Sequence, residues 1–426
     1  MMGIIRDKLL YSKNINKSAY FWNAFAAMMN SFQTMLLLLV ITHFGDDTDS
    51  SIFVMAYAVG NLMLNVGKYG VRQYQVTDVT EKNSFSDYLH ARFASNGIML
   101  AGIAIYLLVH GIKGDYSGEK TAVVFMICMV KFVEAFEDVY HGRMQQKGRL
   151  DVAGRILGIR LGLFIVFFAV LYIITRSLIV TTAVNLAITI ILSIVMNYSV
   201  FGEFSEGSGK TRNIKKIMIE CFPLCLSMCL NMYIANGPKY TIDTVVDDYV
   251  QTRFNIIFMP VFIIALLANF VFQPVLKNMG ELWHDGHVKA FVSKTVKLGL
   301  LVVAIDIVIV LVGSVIGCPV LGMVYGVDLS EYRIHLVMFM FAGGIIALQN
   351  LLIMVITTVR YQKYMIYGYI ITALMTLLFN GKVLALKGLL TLTAYFLVMM
   401  VVLLIYCIIL LWVAVRNRRN TDSNAD

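Results

Sequence analysis

Long apolar runs, each closed by a charged or turn-rich break, set the pattern of this chain. A helix needs about 20 apolar residues to cross roughly 30 Å of hydrocarbon, and twelve such runs fit between the breaks. They cover residues 20–44, 52–71, 93–112, 121–140, 153–174 and 177–200, then 217–236, 252–276, 296–317, 334–357, 364–380 and 388–413. The pattern predicts an all-α membrane protein of about 12 transmembrane helices. The second run is interrupted by Asn61, Asn65 and Gly67, and the eleventh is short. The first follows a basic leader (Arg6, Lys8, Lys13, Lys17) but outruns a signal-peptide core and lacks a small-residue cleavage pattern, so it reads as a span. The stretch GEFSEGSGKTRN at 202–213 is rich in Gly, Ser and charge and predicts a flexible linker. It would divide the chain into a six-helix lobe at 1–201, a linker at 202–213, a second six-helix lobe at 214–414 and a tail at 415–426. Six spans per lobe give both lobes the same orientation, compatible with a parallel repeat.

Composition agrees: 59% hydrophobic, 14% charged, with a mean hydropathy of +0.76, which excludes an ordinary soluble domain. A net charge of +9 would point to nucleic acid in a soluble protein. Here its distribution explains it, and no nucleic-acid partner is implied. With the amino terminus inside, 25 of the 35 Lys and Arg fall on inner segments and 8 on outer ones, which places both termini in the cytoplasm. The outer connections are short and leave no extracellular domain. The six cysteines lie almost entirely within apolar runs, so no disulfide framework follows.

Lys131 and Arg160 are the two cations that fall well inside spans, away from their ends. Charge within the bilayer is costly and faces a bundle interior or a wet cavity. The fourth span, in MVKFVEAFEDVYHGR, carries Lys131, Glu134, Glu137 and Asp138, with Lys131, Glu134 and Asp138 at i, i+3 and i+7 on one helical face. Two readings stand: a structural ion pair of Lys131 with Glu134, or a cavity lining. Arg160, about two turns into the fifth span, either partners Glu134 or Asp138 or lines a cationic cavity with Lys131, where a guanidinium fork suits phosphate. Asp306, alone near the middle of the ninth span, reads as a proton or sodium site or as a buried acid capping a neighbouring helix. Amides recur on the first, seventh and eighth spans (Asn23, Asn30, Gln33, Asn231, Asn236, Asn255, Asn269, Gln273), where they glue helices together or suit sugar hydroxyls. The Cys221, Cys225, Cys229 ladder reads as small-residue packing ahead of a soft-metal site. No P-loop, HExxH or Ser/His/Asp arrangement is present, so neither an enzyme site nor a cofactor nor a metal is expected.

Two stretches carry a family resemblance. EAFEDVYHGRMQQKGRLDVAGR (134–155) and GPKYTIDTVVDDYVQTRFNIIFMPVFIIALL (237–267) resemble the polysaccharide transporters, the Wzx-type repeat-unit flippases of the multidrug/oligosaccharidyl-lipid/polysaccharide exporter (MOP) superfamily. The match rests on Pro238, Lys239, Tyr240, Ile242 and Asp243, on Phe258, Met259 and Pro260, and on Gln145, Gln146, Gly148, Arg149 and Leu150. The resemblance implies two six-helix lobes working by alternating access around a cationic cavity. The cargo would be a lipid-linked oligosaccharide, usually on undecaprenyl diphosphate, moved across the cytoplasmic membrane for capsule, O-antigen or exopolysaccharide synthesis. Polysaccharide polymerase and chain-length machinery would be its partners alongside membrane lipids. On this reading Lys131, Arg160, Lys239 and Arg253 attract the diphosphate, and Asp306, Glu134 and Asp138 are the carriers for ion coupling. Lys239, at the outer edge, would gate or release the cargo, unless Asp243 neutralises it through an i,i+4 pair. A cation-coupled drug exporter of the same superfamily, a lipid II flippase and a membrane-embedded oligosaccharide polymerase or ligase are the alternatives.

Overall fold

Side-chain oxygens start many of the helices. Asn14, Asp46, Ser84, Ser117 and Ser177 each accept a hydrogen bond from the backbone amide three residues on, satisfying one donor that a first turn leaves open. At Ser84 the bond is reciprocated by Asp87, a complete capping box. The computed structural model describes residues 2–78, 83–204, 213–272 and 276–423, and these contain helix and no strand. In order they form α1 (Met2–Leu10), α2 (Ile15–Phe44), α3 (Asp47–Lys68), α4 (Val71–Thr77), α5 (Phe85–Lys113), α6 (Gly118–Gln146), α7 (Leu150–Thr175) and α8 (Leu178–Phe201). Then follow α9 (Ile214–Ala235), α10 (Gly237–Ile242), α11 (Asp248–Phe272), α12 (Leu276–His284), α13 (Val288–Tyr325), α14 (Arg333–Thr358) and α15 (Met365–Ser423).

Ten described helices are long and apolar enough to span a bilayer, and the protein is a multi-pass membrane protein. Two further helices complete the expected twelve. One is α6, 29 residues long, whose middle carries four charges; the other is α11, 25 residues, whose side chains beyond residue 264 lie outside the described set. Several boundaries differ from the apolar runs. The ninth span is part of a 38-residue helix, α13, which begins ahead of the run in the lysine-bearing VKAFVSKT and continues beyond it through Pro319 to Tyr325. The second ends in a left-handed pair, Tyr69 and Gly70, before α4. The eleventh is not short: helix continues from Met365 to a break at Gly388, whose φ of 75° and ψ of −168° only glycine adopts readily. The remainder of α15 folds back antiparallel, with Tyr395 Oη on the carbonyl of Met375 and Tyr406 Oη on that of Tyr364.

The chain divides into two units, Met1–Met232 and Tyr233–Asp426. Within the first, α2 runs along α7 and α3 along α6. Asn23 ties α2 to α7 by donating to the carbonyl of Leu150. Most of α9 also belongs here: Ile217, Cys221 and Cys225 pack with Tyr69, Val71, Tyr88 and Val139. The cysteine ladder is therefore core packing, and all six cysteines are free. Most of the expected linker, 205–212, lies outside the described residues, as do the side chains of Asn269 and Gln273. In the second unit α14 is central, flanked by α11, α13 and α15. Rings of Phe254, Phe258, Phe339 and Phe396 interlock at centroid distances of 4.7–6.4 Å. Lipid tails are as apolar as these side chains, so such contacts stabilise by close packing and not by escape from water.

Candidate functional site

The polar centre of the first unit is built on α6. At 1.5 Å per residue this helix is about 44 Å long, and its middle turns point charge inward: Lys131, Glu134, Glu137 and Asp138 are all buried. Glu134 Oε1 lies 3.1 Å from Lys68 Nζ at the end of α3, and its Oε2 lies 3.2 Å from Lys131 Nζ and 3.9 Å from Arg160 Nη2. One turn on, Asp138 is held by Arg72 of α4 at 3.2 Å and by Arg92 of α5 at 3.0 Å. Glu137 faces α7 and α8, with Arg160 Nε 2.7 Å from its Oε1 and the Ser193 hydroxyl donating to its Oε2 at 2.8 Å. Neither atom of the Arg160–Glu137 contact makes a directed hydrogen bond, so it is an ion pair without the gain of alignment. Lys131 also stands over the ring of Tyr57 at 5.4 Å.

Five cations, Lys68, Arg72, Arg92, Lys131 and Arg160, thus share three carboxylates. Arg92 and Arg160 are sealed, at 0% and 1% exposed, whereas the side chains of Lys68 and Arg72 keep 27% and 23% of their surface. The cluster therefore has a dry floor and a wet rim, and it carries excess positive charge. Such an arrangement can hold an anion, because burial keeps electrostatic attraction strong.

The structure brings together four sequence candidates, Lys131, Glu134, Asp138 and Arg160. Of the two readings of Lys131 the ion pair with Glu134 is formed, and the pair lies inside a group that is cationic as a whole. Arg160 takes Glu137 as its nearest partner at 2.7 Å and also pairs, at 3.9 Å, with Glu134, one of the two acids considered for it. Lys68, Arg72 and Arg92 were counted as inner-segment charges and are part of the cluster. The signal for Arg92 was available: Tyr88, Ala91, Arg92, Ser95, Asn96 and Met99 recur at helical spacing, so one face of α5 carries an arginine among buried residues.

The other candidates belong to the second unit. Lys239, on α10, is buried with its ammonium over Phe258 and Phe262 at 5.2 and 5.4 Å. The expected i,i+4 pairing with Asp243 is not made among the described residues; Asp243 Oδ1 accepts from Gln251 instead, at 3.0 Å. Arg253 folds back on its own helix, stacked 3.2 Å from the Tyr249 ring centroid and donating to the Tyr249 carbonyl. Asp306 does not cap a helix. It lies against Gly344 in the interior of α14, where a β-carbon would overlap its carboxylate, and its buried Oδ1 has no hydrogen-bond partner among the described residues. Among the described residues no group of three or more His, Cys, Asp or Glu is placed to hold a metal.

No protein-family model matches the chain. A capsular polysaccharide biosynthesis protein, CapF of Staphylococcus aureus, is 22% identical over 323 residues, covering 74% of this chain and 79% of the relative. The fold matches solved MATE transporters. An inward-facing multidrug resistance MATE family transporter of the MOP superfamily superposes with a TM-score of 0.63 at 13% identity, over 95% of this chain and 99% of that one. A mutant of the Vibrio cholerae MATE transporter VcmN gives 0.64 at 12%, over 96% and 97%. A MOP superfamily transporter from Pyrococcus furiosus, described as having a binding pocket of reverse polarity that suggests a different function, gives 0.56 at 13%, over 98% of each chain. The capsular polysaccharide relative and the twelve-span, two-lobe transporter fold together bear out the resemblance to the polysaccharide flippases of the MOP superfamily.

Proposed function

We propose that this protein flips a lipid-linked oligosaccharide repeat unit, carried on a polyprenyl diphosphate such as undecaprenyl diphosphate, from the inner to the outer leaflet of the cytoplasmic membrane. The observation that carries this reading is the buried cluster of the first unit, where five cations outnumber three carboxylates. A diphosphate crossing hydrocarbon needs compensating positive charge along its path, while its lipid tail stays in the bilayer. Cationic drugs would need the opposite polarity, and the reverse polarity described for the Pyrococcus transporter is a precedent within this fold. Both termini face the cytoplasm, from the charge bias of the loops. Arg160 and Lys131, with the wet-rim residues Lys68 and Arg72, draw in the headgroup; Lys239 acts at the outer mouth in release, and Arg253 supports it. Glu134 and Asp138 are each held by several cations, which leaves Asp306, with an oxygen that no described residue satisfies, as the best-placed carboxylate for ion coupling. Polymerase and chain-length proteins receive the exported unit for capsule, O-antigen or exopolysaccharide assembly.

The test replaces the chromosomal copy by R160Q/E137Q, which removes cation and partner together and strands no charge. Surface polysaccharide is expected to fall at least tenfold at normal protein level, with lipid-linked repeat units accumulating inside. Unchanged surface polysaccharide, or a phenotype confined to drug sensitivity, overturns the reading.

A further inference from the structure

A second basic site lies where the chain first enters the membrane, and the transport reading makes no use of it. Between α1 and α2 the chain wraps around Arg155, on the second turn of α7. Arg155 Nη1 donates to the carbonyls of Lys8, Leu9 and Tyr11 at 2.8, 2.7 and 2.9 Å, and its Nη2 donates to the Ser12 and Ser18 hydroxyls at 3.2 and 3.0 Å. Arg149 adds a bond to the Leu10 carbonyl at 2.6 Å. Beside these bonds lies a cavity of about 650 Å³ lined by Tyr11, Ser12, Lys13, Asn14, Lys17, Ser18 and Arg155.

Three features of this cavity favour a phosphate. Lys13 and Lys17 are exposed and form no ion pair among the described residues. No carboxylate lines the cavity among the described residues, and Asp151, which accepts from the Ser12 hydroxyl, is also paired with Arg149 at 2.9 Å, so positive charge is in excess. The cavity also sits at the start of α2, a 30-residue helix, where Asn14 Oδ1 satisfies the Lys17 amide at 3.1 Å. The preceding amides of Ile15 and Asn16 have no intrahelical acceptor, and the helix end adds about half a positive charge.

Depth identifies the source of the phosphate. Tyr11, which lines the cavity, and Tyr20 and Phe21, further along α2, are 73%, 80% and 60% exposed, and exposed aromatic rings flanking a span mark the headgroup layer. Lys17 precedes Tyr20 by three residues, about 4.5 Å along the helix. Because Arg155 spends its guanidinium on the loop, the contacts left for a ligand are two lysine point charges, hydroxyls and backbone amides, which suit single phosphate oxygens more than a bidentate fork. We propose that this cavity is a binding site for the phosphate of a membrane lipid, either a phospholipid or a polyprenyl carrier, and that it pins the amino-terminal end of the first unit to the headgroup layer. The inference stands whether or not the protein is a flippase.

The test is native mass spectrometry of the full-length protein in neutral detergent with dioleoyl phosphatidylglycerol, dioleoyl phosphatidylcholine, geranylgeranyl diphosphate or inorganic phosphate. At roughly 1 kcal/mol for each lysine near an anionic surface, K13Q/K17Q is expected to retain phosphatidylglycerol about 30-fold less well. K13R/K17R should restore retention, and K113Q/K120Q, which alters lysines at the far ends of α5 and α6, should match the wild type. Competition by geranylgeranyl diphosphate supports a site open to the lipid carrier; its failure to compete supports a phospholipid site. Displacement of lipid by inorganic phosphate as effectively as by geranylgeranyl diphosphate overturns the proposal, because the cavity then reads a free anion. Wild-type retention in K13Q/K17Q also overturns it.

Discussion

Glu134 is the residue on which the first unit's charge balance turns, and Glu134→Gln tests that directly. The change keeps side-chain volume, so no cavity is created and the packing term is small. What is lost is the carboxylate between Lys68 at 3.1 Å, Lys131 at 3.2 Å and Arg160 at 3.9 Å. Two unit charges about 3 Å apart attract by roughly 5 kcal/mol at an effective dielectric of about 20, and desolvation offsets much of this. The net cost of removing one partner of a buried pair is about 3–5 kcal/mol. Lys131, 2% exposed beside a sealed Arg160, has no water to turn to, whereas Lys68 can hydrate. For a body of about this size each kcal/mol moves the melting midpoint by roughly 2–4 °C, so the purified protein in detergent is expected to melt about 6–20 °C lower. The companion K131M/E134Q removes both partners, leaves Arg160 on Glu137, and is expected to recover most of the loss. A midpoint for E134Q within about 2 °C of wild type, or a double variant as unstable as the single one, refutes the reasoning. The recovered double then divides the two roles of Lys131 in cells: normal surface polysaccharide makes the pair structural, and reduced polysaccharide makes the cation part of the path.

Two changes probe the second unit. Gly344→Ala puts a methyl group into the Asp306 carboxylate and is expected to cost about 1–3 kcal/mol through overpacking, with G344A/D306A recovering it; a thermal midpoint unaffected by G344A would mean that α13 and α14 are not so closely apposed. Lys239→Met keeps an unbranched chain against Phe258 and Phe262 while removing a buried cation. The lost cation–π attraction of about 0.5–2 kcal/mol is offset by relief of desolvation, so melting should hold steady while polysaccharide export falls, and a lower midpoint with normal export would make the lysine structural.

Hydrophobic pattern was enough to place the spans because hydrocarbon demands apolar composition over a fixed length. It could not place helix that continues through lysine-bearing turns or past an internal proline, as α13 does on either side of residues 296–317, nor the short helices α1, α10 and α12. The site was legible along one helix and not across helices. Lys131, Glu134 and Asp138 announced themselves by spacing on α6, but the partners of these residues depend on how α3, α4 and α5 are rotated, and loop-by-loop charge assignment carries no rotation. Arg72 and Arg92 count toward orientation and are also bound to Asp138; one residue serves both purposes, and only the first is visible from chain order. Glu137 lies off the i, i+3, i+7 face of Lys131, Glu134 and Asp138, and that offset is what turns it toward Arg160.

The four charges in the middle of α6 bear on how the protein is made. At a translocation channel each charge near the centre of a segment adds roughly 2.5–3.5 kcal/mol to the cost of partitioning into lipid, so α6 leaving the channel by itself would stay out of the bilayer. Its lysine pairs within the helix, but its three acids are held by groups on both sides in the chain: Lys68, Arg72 and Arg92 emerge before it, and Arg160 and Ser193 after it. The segment must therefore wait, held beside α3 and α5 until α7 and α8 arrive, and membrane insertion and tertiary folding of this half become a single event.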